Sequence, residues 1–267
     1  MNQMNVLTLA EKTRRLFKSK VKDSTYSNWL KAVGPISNLT LDQITNDVVL
    51  EQRMYWLEQT SEGTAKTRLS SLKAIWNKAL MIHLIPGNKA DNPWLTADYG
   101  LTIPERDPEF YPWEYYEQYH NDPYFVILWF TGARIGEVAG MDTKMIVRDA
   151  GIPYFQFIDQ ENRDIKNKPS KRKVPIHPAC EHVLDDFRQS KAKCPGASWS
   201  ENFRKNMQLP EFEAAHTLRH SFHTRCRDVE IEEYMIDILT GHAKASTTAQ
   251  YGKTRLHLLE KAIKKLR

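Results

Sequence analysis

The stretch from Ile85 to Phe110, IPGNKADNPWLTADYGLTIPERDPEF, constrains this chain most. It is dense in Pro, Gly, Asn and Asp, which break helices and favour turns. Helical periodicity runs up to it and resumes after it. The 267 residues are enough for two domains of ordinary size. The break therefore sets a boundary near residue 100, with one domain over 1–98 and a second over 104–267.

The first half reads as helices throughout. VLTLAEKTRRLFKSK, residues 6–20, is a basic helix with Thr8 as its expected N-cap and Glu11 three residues on. Residues 23–33 form a second helix, capped by Asp23 or Ser24. A third lies within 39–59, where Leu50, Met54 and Leu57 fall at helical spacing. The clearest helix follows in 61–85. Leu69, Leu72, Ile75, Trp76, Ala79 and Leu80 make one apolar stripe, while Lys66, Arg68, Lys73 and Lys78 lie on other faces. Those cations are expected to be solvated or to lie against phosphates.

The second half opens with PWEYYEQYH and a run from Tyr124 to Phe130 that is apolar on every side. Such a run reads as a buried helix, stopped at Thr131-Gly132, with Arg134 starting the next. Between 146 and 176 the pattern alternates, and strands are expected near 153–158, 162–166 and 172–176. They enclose a basic loop, NKPSKRK, whose Lys168, Lys171, Arg172 and Lys173 are expected in solvent or on a phosphate backbone. Helices then resume at 178–192 and near 202–208 and continue to the end. The fold class is mainly α with a small antiparallel β-sheet.

No apolar run approaches the ~20 residues of a membrane span, and the N-terminus lacks a secretory core. The three cysteines, Cys180, Cys194 and Cys226, have no paired metal spacing, and their odd number argues against a disulfide framework. A cytoplasmic protein is expected. The formal charge of +5 permits a polyanionic partner without demanding one.

Four short motifs carry the chemistry. TGARIGE holds Arg134, with Glu137 one turn on. HTLRH holds His216 and Arg219, which share a helical face. LTGH holds His242, and QYGK holds Tyr251. Two arginines, two histidines and a late tyrosine suit attack on a phosphate by a phenolic oxygen. Guanidinium matches two phosphate oxygens as a planar fork. Imidazole can donate to a phosphate oxygen or accept the phenolic proton. His216 and His220, at i and i+4, have the spacing of a zinc pair, but HExxH is absent and no metal or other cofactor is expected.

Taken in order and at these separations, the four motifs resemble the tyrosine recombinase (phage integrase) family. The resemblance covers residues 131–255 most closely, and 60–95 is similar to the last long helix of the family's core-binding domain. It implies a helical core-binding domain followed by a mixed α/β catalytic domain, acting on double-stranded DNA. It makes Tyr251 the nucleophile, Arg134 and Arg219 the phosphate clamps, His216 a general base and His242 a donor to a non-bridging oxygen. Glu137 would orient Arg134. The family also carries a general-acid lysine in a β-hairpin. In IKNKPSKRKVPI that is Lys166, with Lys168 the alternative two residues on.

The product expected from the resemblance is a 3′-phosphotyrosyl link, formed without metal or ATP. Exchange between duplexes implies a homotetramer at synapsis, with room for accessory DNA-bending proteins. Relaxation of a single duplex in the manner of a type IB topoisomerase, and non-catalytic DNA binding on the same fold, are the alternatives. Ala133 and Thr240 depart from the family's commoner residues. The last segment, TRLHLLEKAIKKLR, places Leu256, Leu259, Ile263 and Leu266 at helical spacing. That stripe must be buried, either in its own domain or on a neighbouring protomer.

Overall fold

The computed structural model is mainly helical, with one small sheet among the described residues. Residues 4–17, 21–102, 110–159, 168–189, 203–208, 214–242 and 255–266 are described. The chain forms two units, residues 1–106 and 107–267.

The first unit packs four helices: α1 (Val6–Leu16), α2 (Asp23–Val33), α3 (Asn46–Gln59) and α4 (Glu62–Met81). The expected stripe of α4 is buried along its whole length, and α1, α2 and α3 pack against it. Local capping differs from expectation. Asn5 caps α1, its side chain accepting from Thr8 N at 2.8 Å. No side chain caps α2, and Asp23 instead pairs with Arg14.

The face of α3 is also corrected. Val49, Gln52 and Trp56 are buried, whereas Leu50 and Met54 are 58% and 60% exposed and Leu57 is exposed as well. Both triplets have helical spacing. The indole of Trp56 has the most surface to bury, and it sets which one turns inward.

The basic residues of α4 are half-buried, and three of them are engaged within the unit. Lys73 donates to Asp98 at 2.5 Å and to Leu95 O, Arg68 bonds Asn28 and lies over Trp56, and Lys78 lies over Phe17. For these three the expectation of a solvated or phosphate-facing row is replaced by internal pairing.

The second unit is organised around α6 (Pro123–Thr131), in which Phe125 to Phe130 are all within 1% of complete burial. At ~1.5–3 kcal/mol per buried large apolar side chain, this run supplies much of the unit's driving force. Around it lie α5 (Trp113–Tyr119), α7 (Ile135–Ala139), α8 (Leu184–Gln189), α9 (Ala214–Asp228), α10 (Glu233–Thr240) and α11 (Leu256–Ile263).

The sheet is antiparallel in the order β1-β2-β3, from β1 (Ile146–Asp149), β2 (Ile152–Phe157) and β3 (Arg172–Pro175). Its register sets Ile146 opposite Phe155 and Phe155 opposite Val174. The strand β1 was not expected, because IVRD shows no apolar–polar alternation. The strand expected at 162–166 lies outside the described residues. The chain entering α8 is a 3-10 helix over Pro178–Val183 rather than one continuous α-helix.

The C-terminal stripe is buried in its own unit. Leu259, Ile263 and Leu266 join the core that contains α6, and Leu266 O meets His177 Nε2 at 3.1 Å. This corrects the alternative that placed the stripe on a neighbouring protomer. No described helix is long and apolar enough to cross a membrane.

Candidate active site

A helix as apolar as α6 needs a sharp stop. Thr131 turns its hydroxyl back to Ile127 O (2.6 Å), and Ala133 N bonds the same hydroxyl oxygen (3.2 Å). Gly132 closes the helix in the left-handed region at φ 56°, with its N–H on Leu128 O. A Cβ there would lie 2.4 Å from Phe222 Cδ1, so both the backbone angle and the space require glycine.

The turn serves both arginines. Arg134 is the N-cap residue of α7, and Arg219 Nη1, from α9, donates to Gly132 O at 2.7 Å.

Glu137 then fixes Arg134. Its carboxylate accepts from Arg134 N and from Arg134 Nη1, each at 2.9 Å. Ser170 Oγ accepts from the same Nη1 at 2.9 Å. Glu137 Oε2, the oxygen that takes Arg134 N, also accepts from Arg172 Nη2 at 2.9 Å. Burial opposes ionisation of Glu137, but Arg172 and Arg134 outweigh it and hold the carboxyl below its ordinary range. Burial pushes the Arg219 guanidinium down to about 10, with Arg134 and Arg172 adding to the effect. Among the described residues, Arg219 Nη2 is buried without a hydrogen-bond partner. A buried donor in that state is costly unless an acceptor arrives.

The histidines come from two helices. His216 is exposed, one turn before Arg219, with its ring edge-on to His220 at 4.8 Å. His242 follows Gly241, which ends α10 in the left-handed region at φ 70°. Its Nδ1 lies 3.7 Å from Asp237 Oδ1, and its ring stacks on His223 at 5.0 Å. Burial lowers the His242 pKa to about 4, and the charges of Arg219, Arg134, His216 and Arg172 push the same way. His223 falls to about 3, again by burial first. Both rings are therefore neutral at neutral pH, and His242 can donate one N–H without carrying charge.

Of the six residues singled out in the sequence, Arg134, His216, Arg219 and His242 are described. Lys166 and Tyr251 lie outside the described residues. The backbone of Lys168 enters a 3-10 turn over Lys168–Ser170. Among the described residues no three His, Cys, Asp or Glu are arranged to hold a metal.

Arg172 is a correction. It is neither in solvent nor free for a phosphate backbone, but 8% exposed and engaged on every side. Its Nε donates to Leu239 O (2.7 Å), its Nη1 to Ser170 O (2.8 Å), and its guanidinium lies 4.2 Å from the Phe157 ring centre. A signal for this was present. Strand alternation puts Arg172 on the face of Val174 and Lys173 on the other. Val174 is buried, while Lys173 pairs with Asp149 at the surface. Lys171 pairs with Asp159.

No protein-family model and no curated protein matches the chain. Solved structures do. The Tn1549 transposon integrase in complex with transposon right end DNA is similar over 98% of this chain and 99% of its own, with a TM-score of 0.65 and 16% identity. A lambda integrase tetramer bound to a Holliday junction is similar over 94% of this chain and 78% of its own, with a TM-score of 0.63 and 17% identity. A lambda integrase dimer bound to a COC′ core site gives 94% and 77%, a TM-score of 0.62 and 18% identity. At this identity the likeness is one of architecture, mainly α with a small antiparallel sheet, and the chain has the tyrosine recombinase, or phage integrase, fold.

Proposed function

We propose that the chain is a site-specific DNA recombinase that cleaves and rejoins strands through a covalent 3′-phosphotyrosyl intermediate. One observation carries this reading. A single turn, Thr131–Arg134, bears one arginine and holds the other. Arg134 and Arg172 share the Glu137 carboxylate and Arg219 lies on the adjoining turn, so three guanidiniums outnumber the carboxylates of Glu137 and Asp237 and the site carries excess positive charge that accommodates an anion.

In this reading Tyr251 Oη attacks the scissile phosphorus and its proton passes to His216. The bond from phosphorus to the 5′-oxygen breaks, and Lys166 supplies the proton that makes it a leaving group. Arg134, Arg219 and His242 donate to the non-bridging oxygens, where negative charge accumulates. The phosphotyrosyl bond conserves the energy of the broken linkage. A 5′-hydroxyl from a partner strand attacks it, restores the diester and frees Tyr251. Residues 1–98 act as the core-binding domain and 104–267 as the catalytic domain. The working assembly on paired sites is a homotetramer, with accessory DNA-bending proteins where the target site needs them, and the protein is DNA-associated in the cytoplasm.

The test is a suicide duplex, selected from a random pool by binding, nicked so that the released fragment diffuses away after cleavage. The expected result is a covalent adduct, formed in excess EDTA, mapping to Tyr251 and absent in Tyr251→Phe. Absence of an adduct would favour a DNA-binding regulator. An adduct at another tyrosine, or one requiring a divalent metal, would overturn the assignment. Holliday junctions in a two-site reaction separate exchange from relaxation of a single duplex.

A further inference from the structure

Arg172 belongs to none of the groups assigned above to phosphate, nucleophile or leaving group, yet it is among the most constrained side chains in the second unit. It begins β3, and its three donor groups end on three different segments. Nη2 reaches Glu137 on α7, Nη1 reaches Ser170 O in the turn before β3, and Nε reaches Leu239 O near the end of α10.

Each of these segments carries a group used above. Glu137 holds Arg134 by backbone and side chain. Ser170 holds Arg134 Nη1, two residues after Lys168. Leu239 lies three residues before His242, and the Gly241 between them is shaped around Arg172. A Cβ on Gly241 would stand 3.0 Å from Arg172 Nη1, from Pro169 O and from Ser170 Cα.

We infer that Arg172 is a positioning residue that locks Arg134 and the segment entering His242 into one register, so that the phosphate-facing groups are assembled before DNA arrives. This rests on the phosphate-clamp reading of Arg134 given above. The chemistry suits guanidinium alone. Its three nitrogens lie in one plane and bond three acceptors in different directions, whereas an ammonium on a flexible stem cannot hold that fixed fan. A displacement of about 1 Å in a group that must meet a transition state costs roughly 100-fold in rate, so such a lock has functional weight beyond its effect on folding.

The test reads phosphate recognition without chemistry. In the Tyr251→Phe chain, half-site affinity is measured for two duplexes. One carries the scissile phosphodiester, and the other carries a methylphosphonate there, which replaces one charged oxygen with methyl. The parent is expected to prefer the phosphodiester by about 10-fold or more, the scale of a charge-assisted hydrogen bond. Arg172→Lys, which keeps the charge, and Arg172→Met, which keeps the bulk, should both bring the preference to within about 3-fold. Affinity for the methylphosphonate duplex should meanwhile hold within about 3-fold of the parent. A purely structural role would weaken both duplexes alike, and that result overturns the inference, as does an unchanged preference. If circular dichroism shows both variants unfolded, Arg172 is a core ion pair and the inference is wrong. A parent that shows no preference overturns the phosphate-clamp reading itself, and this inference with it.

Discussion

Gly132→Ala should damage the second unit out of proportion to one methyl group. At φ 56° an alanine pays the left-handed steric penalty of about 1–2 kcal/mol. Its Cβ would also stand 2.4 Å and 2.7 Å from two ring carbons of Phe222, which is fully buried on α9 and has nowhere to retreat. Relieving that overlap costs about 1–3 kcal/mol, for a total of roughly 2–5 kcal/mol. For a unit of this size that lowers the thermal midpoint by roughly 5–20 °C. Phe222 lies one turn from Arg219, and Gly132 O is the acceptor for Arg219 Nη1, so half-site cleavage should fall along with stability. The assay is thermal unfolding followed by circular dichroism, with amide hydrogen exchange in α9 to assign the loss to the second unit. Gly34→Ala is the control. Its φ of −42° is helical and nothing lies within 4 Å of the added Cβ, so it should leave stability unchanged or raise it by about 0.4–1 kcal/mol. If the two substitutions fall within about 0.5 kcal/mol of each other, the steric account of this turn is wrong.

Three further outcomes are expected. Lys166→Ala should cleave ordinary DNA slowly but recover much of its rate on a substrate with a 5′-bridging sulfur, whose leaving group needs no proton. Recovery by Lys168→Ala instead would move the general acid two residues along the chain. His177, His223 and His242 all fold with lowered pKa values, burial being the first cause for each, so the folded state prefers them neutral. Stability from these groups is complete above their unfolded value of about 6.5 and is lost as pH falls below it, most from the more buried His223 and His177 and least from the part-exposed His242. A thermal midpoint that is flat or rising between pH 7 and pH 5 would contradict this sign. Finally, deleting residues 257–267 removes four buried side chains, Leu259, Ala262, Ile263 and Leu266, from the core of the second unit. It should abolish cooperative unfolding and half-site binding, and a folded truncated chain that binds normally would return the stripe to a neighbouring protomer.

What the sequence revealed follows the physics of periodicity. The α4 stripe and the all-apolar run of α6 are each compatible with one environment, and both are buried as expected. The stop at Gly132 was legible because a helix without a polar face must end abruptly. Faces were less legible where two solutions compete. On α3 the 49/52/56 and 50/54/57 triplets are equally periodic, and burying the Trp56 indole in the packing against α4 decides between them. Arg134, His216, Arg219 and His242 were singled out because their motifs fall in the order of the tyrosine recombinase family, and the structure sets Arg134 and Arg219 on one turn, Thr131–Arg134. Ser170 and Arg172 were missed because a lysine-rich loop looks uniform in composition. Alternation along β3 separates Arg172 from its neighbours, but the strand is only four residues long.

That a buried arginine completes this site bears on what the pair with Glu137 is for. Burying two charges carries a desolvation cost that their attraction offsets only with good geometry, and apolar replacements of such pairs are often neutral or stabilising. Stability alone therefore gives weak reason to keep Arg172 and Glu137. Orientation gives a stronger one. An apolar pair would leave Arg134 N and Leu239 O without the partners that now fix their directions, and Arg134 Nη1 with Ser170 alone. Arg134 is 25% exposed at its side chain and would sample several rotamers if released. With Glu137 on one side and Ser170 on the other it has one. The same carboxylate offsets part of the charge of Arg134 and Arg172, so three guanidiniums share one pocket while the net field stays positive. Removing Glu137 would leave the arginines repelling one another, and they would spread apart. The carboxylate that reduces the site's charge is thus what lets that charge be concentrated where a phosphate would sit.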